Sequence, residues 1–248
     1  IIGMTFIACI AAFGMLASVL SKSANVSMLI TLTFWLVFVA VVPNTALFWA
    51  QTIFGIESPE SISERVYQER QEINNNAPEG SWSSNGSNPF FYRHELRANN
   101  QTNLMNSEKR IRDAYYLDMF RQLKRVRLAT LLSPVSLFEY MSDSIIGGGF
   151  VRFMKNWKDL HTYQERFLVF FKDKDAADPD SPHWYNPYED YSTTRKPVNF
   201  EEVPLYTEGV ISLADRFSAL SFYLVIMLLY TIVIYFLSFV LFVRYDVR

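Results

Sequence analysis

The sequence predicts an all-α membrane protein: transmembrane helices plus a large, mainly helical extracytoplasmic domain inserted before the last span. Three observations predict it. Residues 1–21, 23–56 and 217–243 carry no charged side chain, whereas 57–216 carry 20 Lys+Arg and 24 Asp+Glu. Apolar residues in that charged region recur at helical spacing, and no strand-rich repeat occurs. A bilayer core about 30 Å thick needs roughly 20 apolar residues, so each charge-free stretch is long enough to cross. The mean hydropathy, +0.06, averages these two populations.

The expected organisation follows. Residues 1–53 hold two transmembrane helices, joined by a short cytoplasmic loop at 21–25 and ending in a Pro-kinked or re-entrant segment at 43–54. Residues 54–216 form the extracytoplasmic domain. Residues 217–248 hold the last transmembrane helix and a short cytoplasmic tail. Short loops carry the orientation signal, and Lys22 in the first connection, with Arg244 and Arg248 after the last span, put those places in the cytoplasm.

The first span, IIGMTFIACIAAFGMLASVL, is rich in small residues. Ala8 with Ala12, and Gly14 with Ser18, stand four apart, a pattern that lets helices approach closely in lipid. The uncharged stretch from Ser23 to Ile56 is 34 residues, about 50 Å if wholly helical, and too long for one crossing. Pro43 removes a backbone donor and clashes with the preceding turn, so a span over Val26–Val42 is expected to stop there. Asn44 and Thr45 are placed to satisfy the freed backbone groups, and a segment from Asn44 to Phe54 follows, re-entrant or along the outer interface. The alternative is one long tilted helix kinked at Pro43. The third span is crowded with aromatics, from Phe222 and Tyr223 to Phe242, expected to fill grooves between helices or to line a slot for a lipid-like molecule.

In the charged region, Ser58-Pro59-Glu60 offers a cap, a first-turn Pro and an acid, predicting a helix to about Ile73. Residues 74–92 read as a loop. Ser107 is a candidate cap for a helix with Ile111, Tyr115, Met119, Leu123 and Val126 on one face. A second apolar stripe runs from Phe150 to Phe171. Residues 172–208 are irregular, with short strands conceivable near Val198–Val203. Between the stripes lies RLATLLSPVSLFEYMSDSIIGGGF, Arg127 to Phe150. Its uncharged part, Leu128 to Phe138, is too short to cross a bilayer. Leu132 closes one helix, Ser133-Pro134 starts the next, and Gly147 ends it. With Arg121, Lys124, Arg125 and Arg127 just before it, this corner is read either as the buried centre of the domain or as an interfacial pair resting on membrane lipid headgroups.

Much chemistry is excluded. No phosphate-binding loop occurs, so this chain does not hydrolyse ATP. His94, His161 and His183 are dispersed, without Cys partners or a metalloprotease spacing. Asp173, Asp175, Asp178 and Asp180 lack the Gly and closing Glu of a calcium loop and read as a solvated turn. No nucleophile elbow is present. A net charge of -2 without a basic stripe argues against nucleic acid as a partner, and the single cysteine, Cys9, rules out an intrachain disulfide. The chain opens at Ile1 inside an apolar run with no basic leader, so further upstream sequence is expected.

The run SVLSKSANVSMLITLTFWLVFVAVVPNTALFWAQTIFGIESPESI resembles the later part of ABC transporter permeases of the type 2 exporter class. RLATLLSPVSLFEYMSDSIIGGGFVRF is similar to a stretch of the branch often labelled multicopper-enzyme-maturation permease. The resemblance implies a subunit with six spans and a cytoplasmic C-terminus. Residues 1–20, 26–53 and 217–243 would stand for the fourth to sixth spans, making this the C-terminal half. It also implies cytoplasmic ABC ATPase subunits as partners, a second permease subunit in a homo- or heterodimer, and ATP with magnesium held on the ATPase rather than on this chain. The ATPase-facing part here would be Ser21, Lys22 and Ser23 with the C-terminal tail. The copper label finds no ligand cluster in these residues. The large external domain points to recognition of an extracytoplasmic protein partner or of substrate. The expected place is the cytoplasmic membrane of a bacterium or archaeon. The competing reading is a membrane-anchored structural or sensory protein whose outer domain binds a partner.

Overall fold

A computed structural model describes residues 1–21, 23–55, 57–78, 90–179 and 199–244, and among them every regular element is helical. Helices α1 (Ile2–Leu20), α2 (Ala24–Trp35) and α3 (Val42–Phe54) come first, with a π-helical segment, Leu36–Val41, joining α2 to α3. Then follow α4 (Pro59–Asn75), α5 (Phe90–Ala129), a 3-10 turn Thr130–Leu132, α6 (Pro134–Ile146) and α7 (Gly149–Ala176). A 3-10 turn at Phe200–Glu202 precedes α8 (Leu213–Val243). Among the described residues, three helices are long and apolar enough to cross a membrane: Ile2–Leu20, Ala24–Ala46 and Leu213–Val243.

The chain divides into two compact units. One comprises Ile1–Gly55, Arg121–Lys158 and Glu208–Arg248, the other Ile56–Phe120 and Asp159–Thr207. Within the stretch read from sequence as one extracytoplasmic domain, 54–216, residues 121–158 group with the three candidate spans. The reason is packing. Leu137 and Met141 on α6 are fully buried in a cluster with Cys9 of α1 and Leu220 and Met227 of α8, with Phe6, Phe138, Tyr223 and Tyr230 around it. An 11-residue apolar run reads alike in a water-soluble core and between spans, so hydropathy alone does not separate the two.

On α1 the buried small residues are Cys9, Ala12 and Ala17, while nothing approaches a Cβ placed on Gly14 within 4 Å. The tight face is therefore displaced from the Gly14–Ser18 pair. On α8, Tyr223 and Tyr230 pack against the cluster, whereas Phe222, Phe236, Phe239 and Phe242 are exposed. Only part of the aromatic content fills grooves within this chain.

In the second unit, Ser58 caps α4 by accepting from the Ser61 N–H at 3.2 Å, with Pro59 in the first turn. Ile62 and Val66 of α4 are buried against Ile111 and Tyr115 of α5. Ser107 is not a cap. It lies in the interior of α5, where its hydroxyl donates to Glu69 of α4 at 2.6 Å and Arg110 pairs with the same carboxylate at 2.9 Å. Its capping propensity serves an interhelical hydrogen bond instead. Glu108 accepts from Arg70 of α4 at 3.0 Å and from Arg112 at 2.9 Å. His161 of α7 meets Asp113 of α5 at 2.7 Å. Phe200–Glu202 form the 3-10 turn rather than a strand, and Val198 lies outside the described residues.

Candidate functional site

Helix continues through Pro43, and the π segment explains how. A wider π turn shifts hydrogen bonds from i−4 to i−5, and single π turns inside α-helices often mark functional sites. The Val42 N–H bonds to the Val37 carbonyl. In that register the next donor, for the Phe38 carbonyl, is residue 43, a proline without an N–H. The expected stop at Pro43 is thus replaced by a change of helical register, and residues 24–54 remain helical throughout.

Three side chains satisfy the carbonyls around this point. Asn44 Nδ2 donates to the Ala40 carbonyl at 2.7 Å, and Thr45 Oγ1 donates to Val41 at 2.7 Å. The Phe38 carbonyl is met from elsewhere in the chain: Ser133 Oγ donates to it at 2.5 Å. Ser133 is fully buried, and its hydroxyl also accepts from the Ser136 N–H at 3.2 Å as the cap of α6, with Pro134 in the first turn. Two residues singled out in the sequence for different reasons, Pro43 and Ser133, therefore belong to one arrangement.

Aromatic rings flank it. Phe13 of α1 stacks on Phe34 with ring centroids 3.7 Å apart, Phe34 lies 4.6 Å from Phe38, and Phe6 lies 4.9 Å from Phe138 of α6. α6 packs against Ile2, Phe6 and Cys9 of α1 and against the part of α8 from Leu220 to Tyr230. On α1 this is the half away from the 21–23 connection.

A second cluster gathers around Tyr140 of α6, and no spacing in the sequence announces it. The Arg127 guanidinium sits 4.0 Å over the Tyr140 ring, 5.6 Å from Phe150 and 5.7 Å from Tyr223 of α8. Its Nε is buried without a hydrogen-bond partner among the described residues, so ring faces supply the electrostatic contact. Tyr140 Oη shares a 2.6 Å hydrogen bond with Thr130 Oγ1. Burial pushes the Tyr140 phenol above its ordinary pKa, against the opposing pull of Thr130 and Arg127.

Gly147 ends α6 in the left-handed conformation, φ 71° and ψ 33°. A Cβ there would stand 2.7 Å from the Arg216 guanidinium, whose Nε donates to the Ile211 carbonyl at 3.1 Å. Near α2, Ser23 caps the helix through the Val26 N–H at 3.4 Å, and Ser21 Oγ donates to the Ser18 carbonyl at 3.2 Å. Lys22 lies outside the described residues, as do Asp180, His183 and Arg248. Ser21 and Ser23 are remote from the α6 corner along α1 and α2, so the sequence-predicted residues fall in two places. Among the described residues no group of three or more His, Cys, Asp or Glu is arranged to hold a metal ion.

The arrangement joins a candidate span that changes helical register, through one hydroxyl, to a short helix packed with two other candidate spans. No curated protein and no solved structure matches the chain. A family model described as ABC-2 family transporter protein matches residues 1–247. With nearly its whole length matched, the chain belongs to the ABC-2 family of transporter proteins, as a membrane permease component of an ABC transporter.

Proposed function

We propose that this chain works with a second permease subunit and separate cytoplasmic ABC ATPase subunits to export a substrate across the cytoplasmic membrane of a bacterium or archaeon. The family match over residues 1–247 carries the reading, since membership implies an ABC ATPase as partner. ATP and magnesium reside on that partner. Residues 21–23 and the C-terminal tail face it, and the unit formed by Ile56–Phe120 and Asp159–Thr207 lies outside the membrane, where it recognises a protein partner or the substrate. The chain stands for the last three spans of a six-span permease, and its Ser133-Pro134 corner supports placing it near the branch labelled multicopper-enzyme-maturation permease.

In this reading, ATP binding draws the ATPases together and biases the spans between two states. The π segment is where the second span bends, because the missing N–H of Pro43 leaves the Phe38 carbonyl to a partner that can follow its motion. Ser133 carries that motion to α6, and α6 to α1 and α8. The test is purification of the tagged chain from its native membrane. Co-purification of an ABC ATPase with vanadate-sensitive ATP turnover is expected. Purification without any ATPase subunit would sink the reading and favour an anchored structural or sensory protein.

A further inference from the structure

We infer that Asp143 of α6 and Arg216 of α8 form a latch, open in this structure, that closes when α6 slides to a second seat. Three half-buried charges meet along one stripe of α6 without pairing. Ser136, Tyr140, Asp143 and Gly147 follow at spacings of four, three and four, so they share a helix face. The Arg127 guanidinium lies 4.0 Å over Tyr140 at one level of that face, and Arg216 lies against Gly147 at another. Asp143 stands between them, about 4.5 Å along the axis from Tyr140 and about 6 Å from Gly147. Its carboxylate occupies the space where a Cβ of Gly149 would stand, and among the described residues it has neither an ion pair nor a hydrogen bond. Arg127 and Arg216 have no carboxylate partner among the described residues either. Leaving a half-buried acid and cation unpaired is costly, and a closed latch recovers that cost.

Packing decides which arginine Asp143 meets. Arg127 is held among rings of three helices, at 4.0 Å from Tyr140, 5.6 Å from Phe150 and 5.7 Å from Tyr223. Arg216 is held by one hydrogen bond, from its Nε to the Ile211 carbonyl at 3.1 Å, and rests on the bare left-handed backbone of Gly147. Here α6 and α8 run antiparallel: Tyr140 meets Tyr223, ring centroids 5.4 Å apart, and seven residues on in α6 Gly147 meets Arg216, seven residues back in α8. A slide of α6 toward its C-terminal end by at most one turn, about 5.4 Å, therefore carries Asp143 to Arg216. The same slide draws Ser133, at the other end of α6, off the Phe38 carbonyl, because a 2.5 Å hydrogen bond does not stretch so far. The two contacts exclude each other: Ser133 on Phe38 holds the first seat of α6, and Asp143 on Arg216 holds the second.

Assigning the second seat to the ATP-bound state rests on the function proposed above, so the test has arms with and without the ATPase. Spin labels at E139C on α6 and F239C on α8, both exposed positions, report the slide by pulsed electron resonance, while the native Cys9 is fully buried. In nanodiscs holding the full chain alone, the labelled parent should show one distance. Adding S133A should bring in a second distance, longer by up to about 5 Å. That second population should fall at least about fivefold when D143N or R216Q is added to S133A, and R216K, which keeps the charge, should retain it. Without S133A, the losses of thermal midpoint from D143N and R216Q should add, since the pair is open there. In the complex trapped with ATP and vanadate, the longer distance should appear without S133A. A complex lacking any ATPase would remove the proposed function and leave the nanodisc results to stand. The latch is overturned if S133A yields no second distance, if that distance survives D143N or R216Q, or if the two substitutions are already coupled in the resting chain.

Discussion

The Ser133 hydroxyl donates to the Phe38 carbonyl at 2.5 Å, and that carbonyl is the one for which the π register leaves Pro43, a residue without an N–H, as donor. Buried carbonyls are costly to leave unpaired, about 1–3 kcal/mol each, so a proline within a span requires compensation. Here the compensation comes from the capping residue of a different helix. The consequence is coupling: α6 cannot leave its seat without stranding a carbonyl in the second span.

Restoring a donor should stiffen the span. Pro43→Ala supplies an N–H and removes the ring clash, allowing the 36–41 segment to adopt ordinary α-helix. ATP-driven turnover of the assembled complex should fall by about tenfold, the effect of ~1.4 kcal/mol on a barrier, while ATPase association persists. Unchanged turnover would remove the bend from the mechanism.

The Arg127 cluster predicts a graded series. Tyr140→Phe keeps the ring under the guanidinium and loses the Thr130 hydrogen bond, whereas Tyr140→Leu loses both. The second should cost about 1 kcal/mol more in micelle unfolding, the worth of a cation-π contact. The raised Tyr140 pKa adds a pH dependence: its contribution is complete below the ordinary tyrosine value of 10.0 and is lost as pH rises through the higher folded value. A 295 nm titration should show a late-ionising phenol that disappears in Tyr140→Phe.

Gly147→Ala should destabilise by about 1–2 kcal/mol, the cost of a left-handed backbone for an L residue. It also displaces the Arg216 guanidinium. Adding Arg216→Ala relieves the crowding but not the backbone strain, so the double variant should recover only part of the midpoint lost.

In the second unit, Glu108 is partly buried, which acts to raise its pKa. The hydrogen bonds and charges of Arg112 and Arg70 outweigh that and hold it below the usual carboxylate value. A depressed pKa contributes stability above the unfolded value, lost as pH falls through the folded one. Glu108→Gln should therefore lower the melting midpoint near neutrality and narrow the gap to wild type as acid is added below about pH 4.

Much of this is legible in the sequence, for physical reasons. Absence of charge over 20 residues has few meanings other than a span, and Ser58-Pro59, Ser133-Pro134 and Gly147 announce helix ends through capping and backbone geometry that need no tertiary context. Ser107 misleads because the same hydroxyl serves as a cap or as a donor to a neighbouring helix, and only the position of Glu69 decides. Pro43 suggests a stop, since a proline in an ordinary helix costs about 3 kcal/mol, but a register change avoids most of that cost. The seat of α6 is not legible, because Leu137 and Met141 suit either surrounding. Nor is the contact of Arg127 with Tyr140, which depends on how the chain turns at the Ser133-Pro134 corner.

The most direct measurement is a double-mutant cycle on Ser133→Ala and Pro43→Ala, followed by unfolding in mixed micelles. With Pro43 present, Ser133→Ala should lose both the α6 cap, about 1 kcal/mol, and the partner of the Phe38 carbonyl. In the Pro43→Ala background that carbonyl gains a backbone donor, the residue 43 N–H in the π register or the Val42 N–H in ordinary α-helix, and only the cap should be lost, giving a coupling of about 1–2 kcal/mol. Strictly additive losses would show that the serine does not stand in for the donor the proline lacks, and the link between the second span and α6 would fall.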